Sequence, residues 1–388
     1  MPVTFQCHFI DGPCLTITGE DERPFTVELI DLATGEIVYQ VDIGAGQWAR
    51  ANRRWFTSWL VRVRREQVVV FEHVFDARGK RVYIALESKS LGDTLAWMPY
   101  AEVFADKHQC ELVVSTFWND LFRDAYGAFT FVAPGERVDD LYAMFQVGYF
   151  TPPWGGDRAR NPVDFRSIPL QKAASDILGL DFVERRPKLV VPPWCPAVAG
   201  RYACISEHST AGAKLWHCPG GWQDVVDALR DRGYEVVAIS KEATALPGVL
   251  DHTGDRPIQR AMADLSGSSL YIGLASGLSW LAWSLGVPVI MISGFSAPWA
   301  ELSSNVVRLH NPHVCHSCWN DLRFEFDKND WNWCPVHKGT ARHFECSRAI
   351  SAADVIRAID LVAALRRLDC GPGTVPGLTL HCPGSRDG

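Results

Sequence analysis

Four cysteines in one short stretch carry the most specific chemical signal in the chain: Cys315-x2-Cys318-x15-Cys334-x11-Cys346. A CxxC pair followed by two further cysteines can place four thiolates around one tetrahedral ion, the geometry of zinc or of mononuclear iron. Four of the chain's twelve cysteines fall in this segment, beside Trp319, Trp331 and Trp333. So short a stretch buries little core of its own, and a bound metal would supply the missing folding energy. His316, His337 and His343 are at hand to replace one thiolate. The plainer alternative is four unrelated thiols. Four protein ligands leave no coordination position open for substrate, so this metal is expected to be structural and the chemistry to lie elsewhere.

Three other groups could act on a phosphorylated substrate. Ser276-Gly277-Leu278 follows an apolar run and opens a helical stretch. Exposed N–H groups at a helix start attract a diphosphate, and glycine permits close approach, although such starts are also common without a ligand. Lys214 falls in the corresponding loop after the first strand of the same half, where a cation would offset a departing diphosphate; an exposed surface lysine is the alternative. Asp93, between Gly92 and Thr94, stands where a strand meets its helix. It is either the N-cap of a helix starting at Thr94 or a general base that takes the proton of an acceptor hydroxyl. No carboxylate pair suits a catalytic divalent metal. Asp139-Asp140 precedes a helix-like stretch and is read as an N-cap cluster.

These residues need elements to hold them. Residues 1 to about 80 alternate apolar and polar positions in short runs, Phe25 to Ile30, Ile37 to Ile43, Trp59 to Val63 and Val68 to Phe75. Such runs predict an antiparallel β module, a small barrel or sandwich. From Val82 the pattern changes to strand, loop, helix, strand, with Val82 to Leu86, a helix over Thr94 to Lys107 and Glu111 to Ser115. A second series starts near Arg201 with strands over Tyr202 to Ser206, Tyr234 to Ser240, Leu270 to Leu274 and Pro288 to Ser293. Both series predict parallel α/β halves, with ligands held in a cleft at the strands' C-terminal ends. The proline-rich residues 151 to 200 read as a linker or crossover, and the Gly/Pro-rich tail after Cys370 as poorly ordered. The expected plan is a β module over 1–80, α/β halves over 81–195 and 196–312, a four-cysteine finger over 313–347, and a C-terminal helix and tail over 348–388.

Composition narrows the function classes. The net charge of −7 gives no global footprint for nucleic acid or anionic membrane. The exception is the cluster Arg50, Arg53, Arg54, Arg62, Arg64 and Arg65, which a solvated strand face or a subunit contact explains as well. No apolar run is long enough to span a bilayer and no signal core opens the chain, so a cytoplasmic location is expected.

Ser90-Leu-Gly-Asp-Thr-Leu-Ala-Trp-Met-Pro-Tyr100, Gly273-Leu-Ala-Ser-Gly-Leu-Ser-Trp-Leu-Ala282 and the four-cysteine insertion together resemble the bacterial autotransporter heptosyltransferases. The likeness spans nearly the whole chain, and the insertion separates it from the lipopolysaccharide heptosyltransferases, which share the shorter motifs. It implies a B-type glycosyltransferase fold of two Rossmann-like halves, an ADP-heptose donor, serine hydroxyls of an autotransporter adhesin as acceptor, iron in the cysteine site and a dodecameric homo-oligomer. By motif, Asp93 would be the base, Lys214 the diphosphate partner, Ser276, Gly277 and Leu278 the phosphate-binding turn, and Gly92 and Thr94 cleft residues. Lipopolysaccharide enzymes usually carry an acidic residue where this chain has Ala275, so their donor contacts do not transfer as a set. The competing readings are a lipopolysaccharide heptosyltransferase and a non-catalytic, metal-stabilised assembly protein.

Overall fold

A computed structural model describes residues 2–150, 158–193, 198, 200–368 and 378–381. The chain folds into two compact units: Met1–Lys89, Trp97–Phe165 and Gln171–Val183 form the first, and Ser90–Ala96, Arg166–Leu170 and Glu184–Gly388 the second. No helix among the described residues is long and apolar enough to cross a membrane.

The first unit begins with seven strands, β1 (Thr4–His8), β2 (Cys14–Thr18), β3 (Phe25–Asp31), β4 (Glu36–Ile43), β5 (Trp48–Arg50), β6 (Trp59–Arg65) and β7 (Val68–Val74). They sort into two antiparallel sheets, β1-β2-β5 and β4-β3-β6-β7. The period-2 pattern explains the pairing: Val27, Leu29, Val61 and Val63 are fully buried on one face, while Glu28, Arg62 and Arg64 take the other. Arg62 and Arg64 of the arginine cluster thus lie on a strand face laced with carboxylates, and Arg53 and Arg65 pair with carboxylates as well. Arg64 Nε is 3.2 Å from Glu28, Arg62 Nε 2.5 Å from Glu72, Arg53 Nη1 3.0 Å from Asp31 and Arg65 Nη2 2.6 Å from Asp21.

Parallel structure follows in the same unit: β8 (Arg81–Leu86), α1 (Leu91–His108), β9 (Glu111–Ser115), α2 (Asn119–Phe122), β10 (Thr130–Val132) and β11 (Ala143–Val147), in sheet order β10-β9-β8-β11. Two expectations are corrected here. Helix α1 starts at Leu91, because the Ser90 carbonyl already accepts bonds from Thr94 N (3.3 Å) and Thr94 Oγ1 (3.2 Å). Ser90 is therefore the cap, and Asp93 lies inside the first turn rather than capping Thr94. Asp139-Asp140 leads into strand β11, with Asp140 in the left-handed region at φ 58°, so it caps no helix. The stretch read as a linker contains α3 (Leu170–Ile177), and the tail after Cys370 lies largely outside the described residues.

The second unit is one seven-stranded parallel sheet. Its elements in chain order are β12 (Tyr202–Ile205), α4 (Gly221–Asp231), β13 (Glu235–Ala238), β14 (Leu250–Asp251), α5 (Ile258–Ser266), β15 (Leu270–Leu274), α6 (Gly277–Ser284), β16 (Val289–Ile292), β17 (Val306–His310), α7 (Glu345–Arg348), α8 (Ala352–Leu368) and β18 (Leu378–His381). The spatial order is β14-β13-β12-β15-β16-β17-β18. Strands buried on both faces read as near-continuous apolar runs, as in Val289-Ile-Met-Ile292. One face packs α4 and α8 through Val226, Leu229, Ile359 and Val362 against Ile272 and Ile290. The chain winds one way from β12 to β14 and the other way from β15 onward, so the switch point lies between β12 and β15.

A buried ion pair braces the loop after β16. Arg308 on β17 is 1% exposed, and its Nη1 is 2.5 Å from Glu301 Oε2. Its Nη2 donates to Ser293 Oγ (2.8 Å), Ser296 Oγ (2.9 Å) and the Ser296 carbonyl (3.2 Å). Glu301→Ala would strand a buried guanidinium and is expected to cost about 3–5 kcal/mol, read as a lower melting temperature and denaturant midpoint.

Candidate functional site

The loops leaving β12 and β15 flank the switch point, where open parallel sheets hold ligands. After β15 the chain passes through Ser276 into α6. Ser276 has φ −141° and ψ 173° and makes no side-chain bond to its own helix, while Ser279 Oγ donates to the Leu274 carbonyl at 2.5 Å.

The start of α1 meets this turn within the second unit. A Cβ added to Gly277 would stand 3.0 Å from Leu91 Cβ and 3.2 Å from Gly92 N, and one on Gly92 would stand 3.0 Å from Trp280 Cδ1 and 3.4 Å from Gly277 Cα. A side chain at either position would push its neighbour back by a few tenths of an ångström, so glycine allows the full approach. Gly92, Asp93 and Thr94 are thus carried to the Ser276-Gly277-Leu278 turn from 185 positions away in sequence. Thr94 is fully buried and turned onto Ser90, whereas Asp93 is half-buried.

Lys214 ends a short 3₁₀ turn, Gly212–Lys214, on the loop after β12. Its Nζ lies 5.8 Å from the Phe295 ring centroid, and no carboxylate among the described residues pairs with it. It shares the C-terminal end of the sheet with Ser276, but no contact joins it to the turn.

The four-cysteine segment packs against the loop braced by Arg308. Ser317 N donates to Gly294 O at 2.8 Å, Trp319 N to Phe295 O at 3.1 Å, and Ala297 N to Asn320 Oδ1 at 2.8 Å. Cys346 lies so close that a Cβ on Gly294 would stand 2.6 Å from its carbonyl carbon. Across the segment, Gly212 N donates to Trp331 O at 2.9 Å, tying it to the Lys214 turn. Its small core joins Phe295, Trp333 and Phe344 with Ala213.

The thiols interact with one another. Burial, then the nearby thiols of Cys315, Cys346 and Cys334, push the Cys318 thiol well up; burial, then Cys334 and Cys315, push Cys346 up to about 12. Crowding that opposes ionisation of Cys318 and Cys346 fits a cation, which would reverse that penalty. The donor atoms that converge most tightly are nevertheless those of Cys315, His337 and Glu345, all within 4.8 Å of one another. Glu345 Oε1 accepts the Cys315 amide at 3.0 Å and lies 3.4 Å from His337 Nε2. Of the three histidines named as substitutes, His337 is the one whose ring nitrogen falls in this group among the described residues. His316 bonds Ser317 Oγ and packs on His310, and His343 stacks on Phe344.

No protein-family profile matches the chain. Among characterised proteins, the autotransporter heptosyltransferase BAHTCr of Citrobacter rodentium is 37% identical over 348 residues, 86% of this chain and 84% of that protein. The inactive autotransporter heptosyltransferase BimC of Burkholderia thailandensis is 34% identical over 364 residues, 90% and 84% of the two. The crystal structure of TibC from enterotoxigenic E. coli, an iron-containing dodecameric glycosyltransferase, superposes with a TM-score of 0.86 at 33% identity, covering 95% of this chain and 97% of that one. TibC is also known in complex with ADP-D-β-D-heptose. At 13% identity and a TM-score of 0.52, the lipopolysaccharide heptosyltransferase II of E. coli shares the fold, over 74% of this chain and 99% of its own.

Gly294 tests the seating of the cysteine segment without removing any thiol. Gly294→Ala must displace the Cys346 backbone, and the expected outcome is roughly a 10-fold loss of metal affinity with the parallel sheets intact, measured by elemental analysis beside circular dichroism.

Proposed function

Because the chain belongs to the autotransporter heptosyltransferases, we propose that it moves heptose from ADP-heptose to serine hydroxyls of an autotransporter adhesin passenger, in the cytoplasm and as a dodecamer. The observation that carries this reading is the approach of Gly92 to Gly277, which sets the Asp93 turn against the turn suited to a diphosphate.

In the proposed reaction the diphosphate rests on the N–H groups at the start of α6, with Ser276, Gly277 and Leu278 as its turn. Asp93 takes the proton of a serine hydroxyl as that oxygen attacks the anomeric carbon. The new C–O bond forms as the bond to the diphosphate breaks on the opposite face, so configuration inverts and ADP leaves. Lys214 supplies positive charge toward the departing diphosphate. Gly92 and Thr94 shape the approach, the glycine by its lack of a side chain and Thr94 by fixing the helix start on Ser90. Cys315, Cys318, Cys334 and Cys346 hold one iron per chain, zinc being the alternative, and the ion's part is to fold the finger. The domain plan of a β module, acceptor half, donor half and finger is kept on this reading.

Family membership alone does not carry activity, since the Burkholderia relative is an inactive one. A non-catalytic, metal-stabilised protein is the second reading, and transfer itself separates the two. Mass spectrometry of a co-expressed autotransporter fragment should show one heptose increment per modified serine; an unmodified fragment favours the second reading.

Two substitutions assign the roles. Asp93→Asn removes a favourable charge from the first turn of α1, a stability cost of about 0.3–1 kcal/mol, whereas loss of a general base costs roughly 10²–10⁴-fold in rate. The expected protein binds donor, keeps its metal and transfers at least 100-fold more slowly; transfer within about threefold of wild type excludes the catalytic role. Lys214→Ala is expected to lower turnover by on the order of 10²-fold, and unchanged kinetics return it to a surface lysine.

A further inference from the structure

Beneath the Ser276-Gly277 turn lies a group of hydroxyls that the proposed reaction leaves unused. Tyr271 on β15 is fully buried. Its ring runs along its own strand toward the switch point, because Gly273, two residues on, has no side chain; a Cβ there would stand 2.3 Å from the Tyr271 hydroxyl. The register Cys204↔Tyr271 and Ile205↔Ile272, extended by Ser206 N donating to Ile272 O at 3.0 Å, puts Ser206 on the same sheet face as Tyr271. Ser206, Ser279 and Ser276 surround the phenol.

The hydroxyls of Tyr271 and Ser206 are both buried and neither makes a well-aligned hydrogen bond, although Ser206, Ser279 and Ser276 lie within weak hydrogen-bonding reach of the phenol; Ser206 is 2% exposed. Ser279 is engaged with Leu274 O, and Ser276 makes no capping bond. Buried hydroxyls so poorly satisfied are rare, because each forfeits its hydration for little in exchange. These two point to the end of the sheet where an anion is favoured, between β12 and β15 and under the N-terminus of α6. Burial holds the phenol's pKa well above its ordinary value, so it keeps its proton and remains a donor.

We propose that Tyr271 and Ser206 are positioning residues for the donor diphosphate, their O–H groups orienting the Ser276 hydroxyl that faces it. This rests on reading Ser276-Gly277 as the diphosphate turn. A hydroxyl that serves the ligand differs from one that serves the fold in the sign of its effects. Tyr271→Phe removes a group that is poorly satisfied in the unliganded protein, so the melting temperature without ligand should stay level or rise, while ADP affinity by calorimetry falls roughly 10-fold. The relay also requires coupling: Tyr271→Phe placed on Ser276→Ala should weaken ADP no further than Ser276→Ala alone. Tyr271→Phe that binds ADP within twofold of wild type, or that lowers the melting temperature with ADP affinity unchanged, overturns the proposal while leaving the turn in place. Wild-type protein that binds no ADP overturns the turn and the relay together. Ser206→Ala, which deletes a single oxygen, gives the same comparison if the ring substitution fails to fold.

Discussion

Two helix N-termini meet backbone to backbone at Gly92 and Gly277, and that contact sets the conditions for everything around it. Each terminus carries a partial positive charge and unsatisfied N–H groups, so bringing two together is unfavourable unless negative charge lies between them. Asp93 in the first turn of α1 supplies part of it. An anionic ligand held by the Ser276 turn would supply the rest. On the proposed reading, part of the affinity for a diphosphate would come from this helix geometry and not from the lysine alone.

The cysteine finger answers a different physical need. It lies against the loop after β16, whose shape is held from below by Arg308 and Glu301 and whose glycine leaves room for Cys346. Its only sizeable apolar group is a handful of aromatic rings around Phe295, too little to order the segment unaided. The crowded thiols and the carboxylate of Glu345, which clasps the Cys315 amide, make a bound cation the natural source of the missing energy.

Much of this was legible in the sequence. Strands such as Glu111–Ser115 and Leu270–Leu274 stand where the apolar runs put them, and the helix entered through Ser276-Gly277 is α6. These features are local, and local chemistry specifies them. The start of α1 was misplaced because Ser90 and Asp93 are both good caps, and only the Ser90 carbonyl's bonds separate them. The Asp139-Asp140 pair looked like a cap because a polar cluster before an apolar stretch suits a helix or a strand alike. Gly294 and Arg308 gave no signal, and Gly273 and Tyr271 showed only as members of a family motif and an apolar run. Their roles depend on cross-strand register and on what packs above the sheet, neither of which is written within a few residues of them.

The first turn of α1 belongs to the second unit although the chain that completes that unit comes far later. On the ribosome, residues 90–96 therefore emerge long before Ser276 and Gly277 exist to receive them. Contacts of such separation form late, since the intervening loop must close before they return any stability. A nascent chain that has made its antiparallel sheets and β8 to β11 still lacks the Ser276-Gly277 turn that the start of α1 packs against. The site is therefore assembled by the last third of the polypeptide, and a truncated product would carry Asp93 with no turn to set it against.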